Sequence, residues 1–455
     1  MSKKQKSLQN FINSGMPANI KHLSLDSRTV QKSTLFFVRK NTKQEHIHQA
    51  IQKGAIQLCT SQKLDLDIPQ LIVDDVDVAM AEIANAFYNN PSQNLTMIGC
   101  TGTSGKTTTS HLIEHIFSSL NTPISLIGTI ETQSNLTTPN SIQLNQLLSQ
   151  MQNKKAYVME VSSHALDQKR THGIDFDVAI FTNFSHEHLD YHHTLNDYFH
   201  AKSKLFENLK PEATAILNAD DAKVMTLNPP CKTLTFGIDH PADFQATNIH
   251  VSLEGTQFDL LFQDQTFHVK THLIGKINVY NILAALSSGF AYDFSLEDQI
   301  QALQMFKTVK GRLERIDNVF IDYAHKPDAL KKTLETLRPL CQGKLICVFG
   351  CGGNRDRAKR PQMGHIATTL ADHVIITSDN PRNEDPLAIC QEIAKGCSKN
   401  NFTIESNRKK AIQQALYSSQ PDDLILIAGK GHESTQTTHN QEHELDDAKL
   451  VYALK

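Results

Sequence analysis

The stretch Gly99-Cys100-Thr101-Gly102-Thr103-Ser104-Gly105-Lys106-Thr107-Thr108 constrains this chain more than any other. An apolar run, Leu95 to Cys100, leads into it. A helical pattern with Ile113, Ile116, Phe117 and Leu120 on one face follows. A glycine-rich turn between a strand and a helix is a phosphate cradle, because backbone N–H groups and the helix N-terminus face the anion. Lys106 then reaches the outer phosphates, and the Thr107 hydroxyl is placed for Mg²⁺. The general spacing asks for glycine at position 100, where this chain has cysteine; the first glycine is its neighbour Gly99. A glycine-rich turn with an incidental lysine would satisfy the spacing alone, and the strand–turn–helix context argues against it. The segment predicts a bound nucleotide without naming a reaction.

The 455 residues suggest roughly three domains at a prior of about 150 residues each. The expected division is 1–90, 91–307 and 308–455, with turn chemistry at Asn89-Asn90-Pro91-Ser92. In the first segment, strands are expected at Thr34–Val38, Ile56–Cys59 and Leu71–Val73, with helices at His46–Gly54 and Val78–Tyr88. In the second, strands are expected at Ala156–Val161, Val178–Phe181 and Ala215–Leu217. A β-rich insert from 233 to 269 and a helix at Asn278–Phe290 follow. In the third, strands at Val319–Tyr323, Leu345–Phe349, His373–Thr377 and Leu424–Ala428 alternate with helices at Lys326–Arg338, Pro361–Ala371, Pro386–Lys395 and Arg408–Ser418. Such alternation predicts an α/β fold with parallel, doubly wound sheets in the second and third segments.

Charge and composition exclude several classes. The net charge is −3 and the pI about 6.7, which argues against a dedicated nucleic-acid binder. No apolar run nears the roughly 20 residues of a membrane span, so no membrane insertion is expected. The basic start, Met1 to Lys6, leads into a polar stretch with no apolar h-region, so export is not expected. The eight cysteines form no C-x-x-C pair and read as reduced thiols in a cytoplasm, several of them buried in strands.

Two further segments end expected strands: Glu160-Val161-Ser162-Ser163-His164, and Phe181-Thr182-Asn183 followed by His186-Glu187-His188-Leu189-Asp190. In a parallel sheet these ends share an edge with the phosphate loop, so Glu160 and His188 become candidate Mg²⁺ ligands near Thr107. A histidine-rich loop taken alone is more often a solvated turn.

In this order, the motifs resemble those of the Mur ligases, the ATP-dependent amide ligases that build the peptidoglycan stem peptide. Thr101 to Thr107 resembles their nucleotide loop, and Glu160–His164 and Asn183–Asp190 their metal and catalytic segments. Tyr198-Phe-His-Ala-Lys202 resembles the segment of a carbamylated lysine. Asn278-Val-Tyr-Asn281 and Gly311-Arg312-Leu-Glu314 resemble adenine- and phosphate-side contacts. The resemblance runs from about Leu25 to Glu433. It is closest to the members that add the third residue, through Asp26-Ser27-Arg28, Thr137-Thr138-Pro139, Ser162 to Arg170, Asp322-Tyr-Ala-His325, Gly350 to Asp356, Asp379-Asn380-Pro381-Arg382 and Gly429-Lys-Gly-His-Glu433.

The resemblance implies an α/β, three-domain architecture: a small N-terminal UDP-binding domain, a central P-loop ATPase domain and a C-terminal Rossmann-like domain that binds the amino acid. It implies ATP and Mg²⁺, with a CO₂-derived carbamate on Lys202. ATP would meet Gly102, Thr103, Ser104, Gly105, Lys106, Thr107, Thr108, Asn278, Asn281, Arg312 and Asp322. Metal would be held by Thr107, Glu160, His188 and carbamylated Lys202, and Lys106, Glu160, His188 and Lys202 would carry catalysis. Lys204 lies close by, and only the family pattern favours Lys202 over it. UDP-N-acetylmuramoyl-L-alanyl-D-glutamate would contact Ser27, Thr137, Thr138, Ser162, Gln168 and Arg170. Meso-diaminopimelate would contact Arg355, Asp379, Asn380, Arg382, Gly429 and Glu433. A cytoplasmic monomer is expected.

The sequence departs from the family pattern at Glu187 (usually Asp), Ser104 (usually Asn), Lys326 (usually Thr) and Asn354 (usually Asp). Arg39 to Glu45 lacks the glycine-bearing loop and Asp-Gly-His turn, which bears on uridine recognition. The rival readings are the same ligase adding L-lysine, a fourth-residue, folyl- or cyanophycin-type ligase, and a nucleotide-driven switch. A switch has no need of a second sheet carrying Arg355, Arg382 and Glu433.

Overall fold

The computed structural model describes residues 2–13, 15–131, 136–150 and 154–455. Its contacts divide the chain into two units. One comprises Met1–Gln245, Leu261–Gln265 and Tyr280–Ala302; the other comprises Ala246–Leu260, Thr266–Val279 and Leu303–Lys455.

Within the first unit, the leading ninety residues form a four-stranded parallel sheet in the order His22–Ser24, Thr34–Val38, Ala55–Thr60, Gln70–Ile72. Thr34–Val38 is buried at every position, as a strand covered on both faces must be. Asn89 and Asn90 take left-handed φ values of 63° and 48° at the expected turn. That turn does not separate two units. The helix Val76–Phe87 packs on Ser141–Gln150, Ile142 enters the core around Leu35 and Phe37, and the Asn85 side chain donates to the His172 carbonyl at 3.2 Å.

The rest of this unit is built on parallel strands in the order Lys232–Gly237, Thr214–Asn218, Val178–Phe181, Thr96–Thr101, Ala156–Glu160, Ile124–Ile127. Thr96–Thr101 is central and flanked on both sides, which explains its continuous burial after Thr96. The helix Lys106–Ser119 buries Ile113, Ile116 and Phe117 as its period requires, while Leu120 is its half-exposed C-cap. In register, Cys100 pairs with Glu160, and Thr101 with Phe181. The three strand ends therefore lie on one edge, beside the phosphate loop.

The second unit carries a six-stranded sheet in the order Glu314–Ile316, Val319–Asp322, Leu424–Ala428, Leu345–Phe349, His373–Ile376, Phe402–Ile404. Only the first pairing is antiparallel. The central strands, Leu424–Ala428 and Leu345–Phe349, are wholly buried. Asp379 to Arg382, Gly350 to Asp356 and Gly429 to Glu433 all follow the C-terminal ends of parallel strands, where open α/β sheets bind ligands. All eight cysteines are free thiols, and Cys59, Cys100 and Cys347 are buried in strands. Among the described residues, no helix is long and apolar enough to cross a membrane.

Candidate active site

The phosphate loop is shaped by its glycines. Gly102 and Gly105 have φ of 145° and 84°, and a Cβ on Gly102 would lie 1.9 Å from the Thr182 hydroxyl. Cys100 is tolerated where the general pattern has glycine because that position is still inside the strand and fully buried. The loop is braced from the neighbouring strand end. Asn183 Oδ1 accepts from the Ser104 amide and hydroxyl, both at 3.1 Å, and Thr182 Oγ1 donates to the Ser104 carbonyl at 2.6 Å. Ser104 thus fills its position through its hydroxyl. Asn281 packs against Gly105, and the Thr109 hydroxyl donates to its Oδ1 at 3.4 Å. Lys106 Nζ donates to the carbonyls of Gly102, at 2.8 Å, and Thr103, at 3.2 Å.

Beside the loop, Glu160 is 1 % exposed. One carboxylate oxygen accepts from the Thr107 hydroxyl at 3.0 Å, and the other from the Thr129 amide at 2.8 Å. Lys202 is equally buried and donates to the Gly102 carbonyl at 2.8 Å, with Nζ 4.8 Å from the Tyr198 ring centre. Burial, and then the nearby Lys106 charge, hold its pKa well below the ordinary lysine value. Lys204 instead pairs with Asp167 at 3.0 Å. His188 has a left-handed φ of 54° at the start of the short helix Leu189–His192. Burial, with His164, Lys106 and Lys202 around it, pushes its pKa down to about 3, so the ring is neutral and keeps a lone pair to donate. Glu187 stands 3.3 Å from it.

Beyond Glu160, Thr138 Oγ1 donates to the Glu160 carbonyl at 2.8 Å and accepts the Ser162 amide at 3.1 Å. Arg170 is buried; its guanidinium donates to the Thr138 carbonyl at 2.8 Å and to Gln168 Oε1 at 2.7 Å. Its pKa is lowered by burial and then by the charge of Arg39, which is itself paired with Asp77 at 2.6 Å. Thr137 accepts from the Thr129 hydroxyl at 3.2 Å, which brings it into the same group. Ser27 is placed apart from these bonds; its hydroxyl donates to Gln49 Oε1 at 2.7 Å.

In the second unit, Asn380 Nδ2 donates to Glu433 Oε2 at 2.7 Å. Buried Lys430 reaches the same oxygen at 3.3 Å. Burial, and then the Asp379 charge, raise the Glu433 pKa. Arg382 Nη1 donates to the Gly353 carbonyl at 2.8 Å and sits 2.9 Å from where a Cβ on Gly352 would be, with the Arg355 stem beside the same point. A Cβ on Gly429 would lie 2.6 Å from Asp379 Oδ2. The structure therefore gathers Arg355, Asp379, Asn380, Arg382, Gly429 and Glu433. Asp322 accepts the Leu313 amide at 2.8 Å, and Arg312 lies 4.6 Å from the Tyr323 ring centre. Asn278 donates to the Ile274 carbonyl at 2.9 Å and belongs to this unit, whereas Asn281 belongs to the first.

Residues 100–289 match the Mur ligase middle domain and residues 311–431 the Mur ligase glutamate ligase domain. The chain is 41% identical to the UDP-N-acetylmuramoyl-L-alanyl-D-glutamate–2,6-diaminopimelate ligase of Bacillus cereus, across 95% of this chain and 93% of that one. The chain belongs to the Mur ligase family. A solved structure of a UDP-N-acetylmuramoyl-L-alanyl-D-glutamate–2,6-diaminopimelate ligase superposes with a TM-score of 0.68 at 33% identity, covering 95% of this chain and 94% of that one. The MurF ligase of Thermotoga maritima, solved with ADP, has the same fold at a TM-score of 0.67 and 20% identity, covering 92% of this chain and 96% of that one.

Among the described residues of this Mur ligase, no three His, Cys, Asp or Glu side chains are grouped to hold a metal. Mg²⁺ takes one or two protein ligands and fills the rest of its shell with water and phosphate oxygens. The Thr107 hydroxyl and buried Glu160 carboxylate, already 3.0 Å apart, fit such a partial shell.

Motif reading missed Thr129 and Arg39, because each acts through a partner on another element, Glu160 and Asp77. Lys430 lies inside the Gly429–Glu433 motif, three residues before its partner Glu433, but was assigned no role. Tyr198 had a local signal: it lies four residues before Lys202 on the helix Leu195–Glu207, so both side chains share a face.

Proposed function

We propose that this Mur ligase joins meso-diaminopimelate to the γ-carboxylate of the D-glutamate in UDP-N-acetylmuramoyl-L-alanyl-D-glutamate, at the expense of ATP, in peptidoglycan precursor synthesis. The γ-phosphoryl group of ATP passes to the carboxylate and gives an acyl phosphate and ADP. The amine of the incoming amino acid attacks the acyl carbon, and the tetrahedral adduct loses phosphate to leave the amide. Carboxylate and triphosphate are both anions, so the first step needs their repulsion cancelled.

Lys106 supplies charge at the outer phosphates, and the amides at the start of Lys106–Ser119 supply a fixed dipole. Thr107 and Glu160 would hold one Mg²⁺; His188 and carbamylated Lys202 would hold a second. The ions supply further positive charge at the phosphoryl oxygens. Lys202 suits carbamylation because a free-base amine, not an ammonium, attacks CO₂, and burial beside Lys106 favours the free base. Arg170, Gln168, Thr137, Thr138 and Ser162 hold the muramoyl dipeptide, with Ser27 toward the UDP end. Asn278, Asn281, Arg312 and Asp322 serve ATP. The enzyme works as a cytoplasmic monomer, with functional segments 1–90, 91–307 and 308–455.

The observation that carries the choice of amino acid is the pairing of Glu433 with Asn380 beside Arg382 and Arg355. A carboxylate and guanidinium groups in one site complement an end that bears both an ammonium and a carboxylate. Mass spectrometry of the product tests the reading. The UDP-dipeptide should gain one diaminopimelate residue only when ATP, Mg²⁺ and the amino acid are all present; formation without ATP would refute it.

A further inference from the structure

A hairpin made by Thr435–Thr438 and Gln441–Glu444 is bonded along the Asp379–Arg382 turn. The Thr437 amide donates to Asn380 Oδ1 at 2.9 Å, the Arg382 amide donates to the Thr437 carbonyl at 2.9 Å, and the His439 amide donates to the Arg382 carbonyl at 2.6 Å. Arg382 is held in a left-handed conformation, φ 54°, which non-glycine residues adopt only when their surroundings impose it. The Thr437 amide also decides which way the Asn380 side chain faces. A backbone N–H only donates, so Oδ1 must lie toward it and Nδ2 toward Glu433. Any slip of the hairpin along the turn would rotate that amide and release Glu433.

These bonds use the hairpin backbone, which any sequence would offer. One side chain adds to them. Gln436 Nε2 donates to the Asp379 carbonyl at 2.5 Å and to the Ser378 hydroxyl at 2.9 Å, tying the hairpin to the buried start of the turn. We infer that Gln436 is a positioning residue of the amino-acid site: it keeps the hairpin in register with the Asp379–Arg382 turn, so that Asn380, Arg382 and Glu433 keep the orientation that accepts the far end of the amino acid. This rests on the reading of that site given above.

Steady-state kinetics of the full-length enzyme test it, varying each substrate in turn, for the unaltered protein, Gln436→Ala, Gln436→Glu and the exposed-site control Gln441→Ala. Gln436→Glu keeps the volume and loses the donor. Both Gln436 variants should raise the KM for meso-diaminopimelate about tenfold or more, while the KM values for ATP and the UDP-dipeptide stay within about twofold and kcat within about threefold. Gln441→Ala should match the unaltered enzyme. An unchanged KM for meso-diaminopimelate, or an equal rise in all three KM values, would overturn the inference. Failure of both Gln436 variants to fold would make the residue structural and overturn it as well. An unaltered enzyme that does not use meso-diaminopimelate would instead overturn the reading of the site.

Discussion

Lys106 and Lys202 donate to one acceptor, the Gly102 carbonyl oxygen, each at 2.8 Å. Two ammonium groups that share one acceptor repel each other, and more strongly where water is excluded. Lys106 begins a helix at the mouth of the phosphate loop, whereas Lys202 is fully enclosed, and burial, then the Lys106 charge, lower the Lys202 pKa well below the ordinary lysine value. In the proposed reaction, Lys106 serves the phosphates and Lys202 is the nucleophile for CO₂.

Lys106→Ala should abolish ADP formation and leave the melting temperature within a few degrees of the unaltered protein. In the proposed reaction the lysine serves the nucleotide, and its bonds to the loop carbonyls are a small part of a braced structure. Coupled-enzyme detection of ADP and thermal unfolding check the two halves. Near-normal turnover would remove Lys106 from the phosphate site.

Lys202→Ala should lose at least about a hundredfold in rate and regain part of it with short carboxylic acids that refill the space of the carbamate. The unaltered enzyme, given ¹³C-bicarbonate, should show a carbamate carbonyl resonance that Lys202→Ala lacks and Lys204→Ala keeps. A resonance lost in Lys204→Ala instead would move the modification to that lysine.

How much of this was legible in the sequence depends on whether each signal was local. Val178–Phe181, Leu345–Phe349 and Arg408–Ser418 form over the expected spans, because continuous burial or a clear period marks each one. The helix Lys3–Asn13 was missed: polar residues fill most of it, and only Leu8 is buried. The short edge strands His22–Ser24 and Phe402–Ile404 were missed because three residues carry too little pattern. Phosphate-loop residues stand together in the chain and could be read directly. Arg39, Gln436 and Arg408 could not, since their partners lie on other elements and register alone brings them together.

Arg170→Ala should raise the KM for the UDP substrate at least about tenfold with little change for ATP. Its guanidinium holds Thr138 and Gln168 together, and in the proposed reaction its positive charge would meet the anionic substrate. Initial rates with each substrate varied in turn settle it. A larger effect on ATP would remove Arg170 from the muramoyl-dipeptide pocket.

Arg408→Ala should destabilise the protein by about 3–5 kcal/mol, since it strands the Asp447 carboxylate in the core. Arg408 and Asp447 are both fully buried and bonded at 2.9 and 2.7 Å. The same guanidinium donates to the carbonyls of Ser378, at 3.2 Å, and Ala428, at 3.0 Å, where the loops carrying Asp379–Arg382 and Gly429–Glu433 begin. Urea unfolding followed by circular dichroism measures the loss, and a change below about 1 kcal/mol would contradict the assignment.

The central claim is the choice of amino acid, and the most direct test is ADP release by the unaltered enzyme with UDP-N-acetylmuramoyl-L-alanyl-D-glutamate and either meso-diaminopimelate or L-lysine. L-lysine has no distal carboxylate, so it would leave Arg382 without its anion. A site whose polar groups go unpaired rejects the wrong substrate by roughly 10⁴-fold. The account predicts that kcat/KM favours meso-diaminopimelate by orders of magnitude; comparable values for the two amino acids would contradict it.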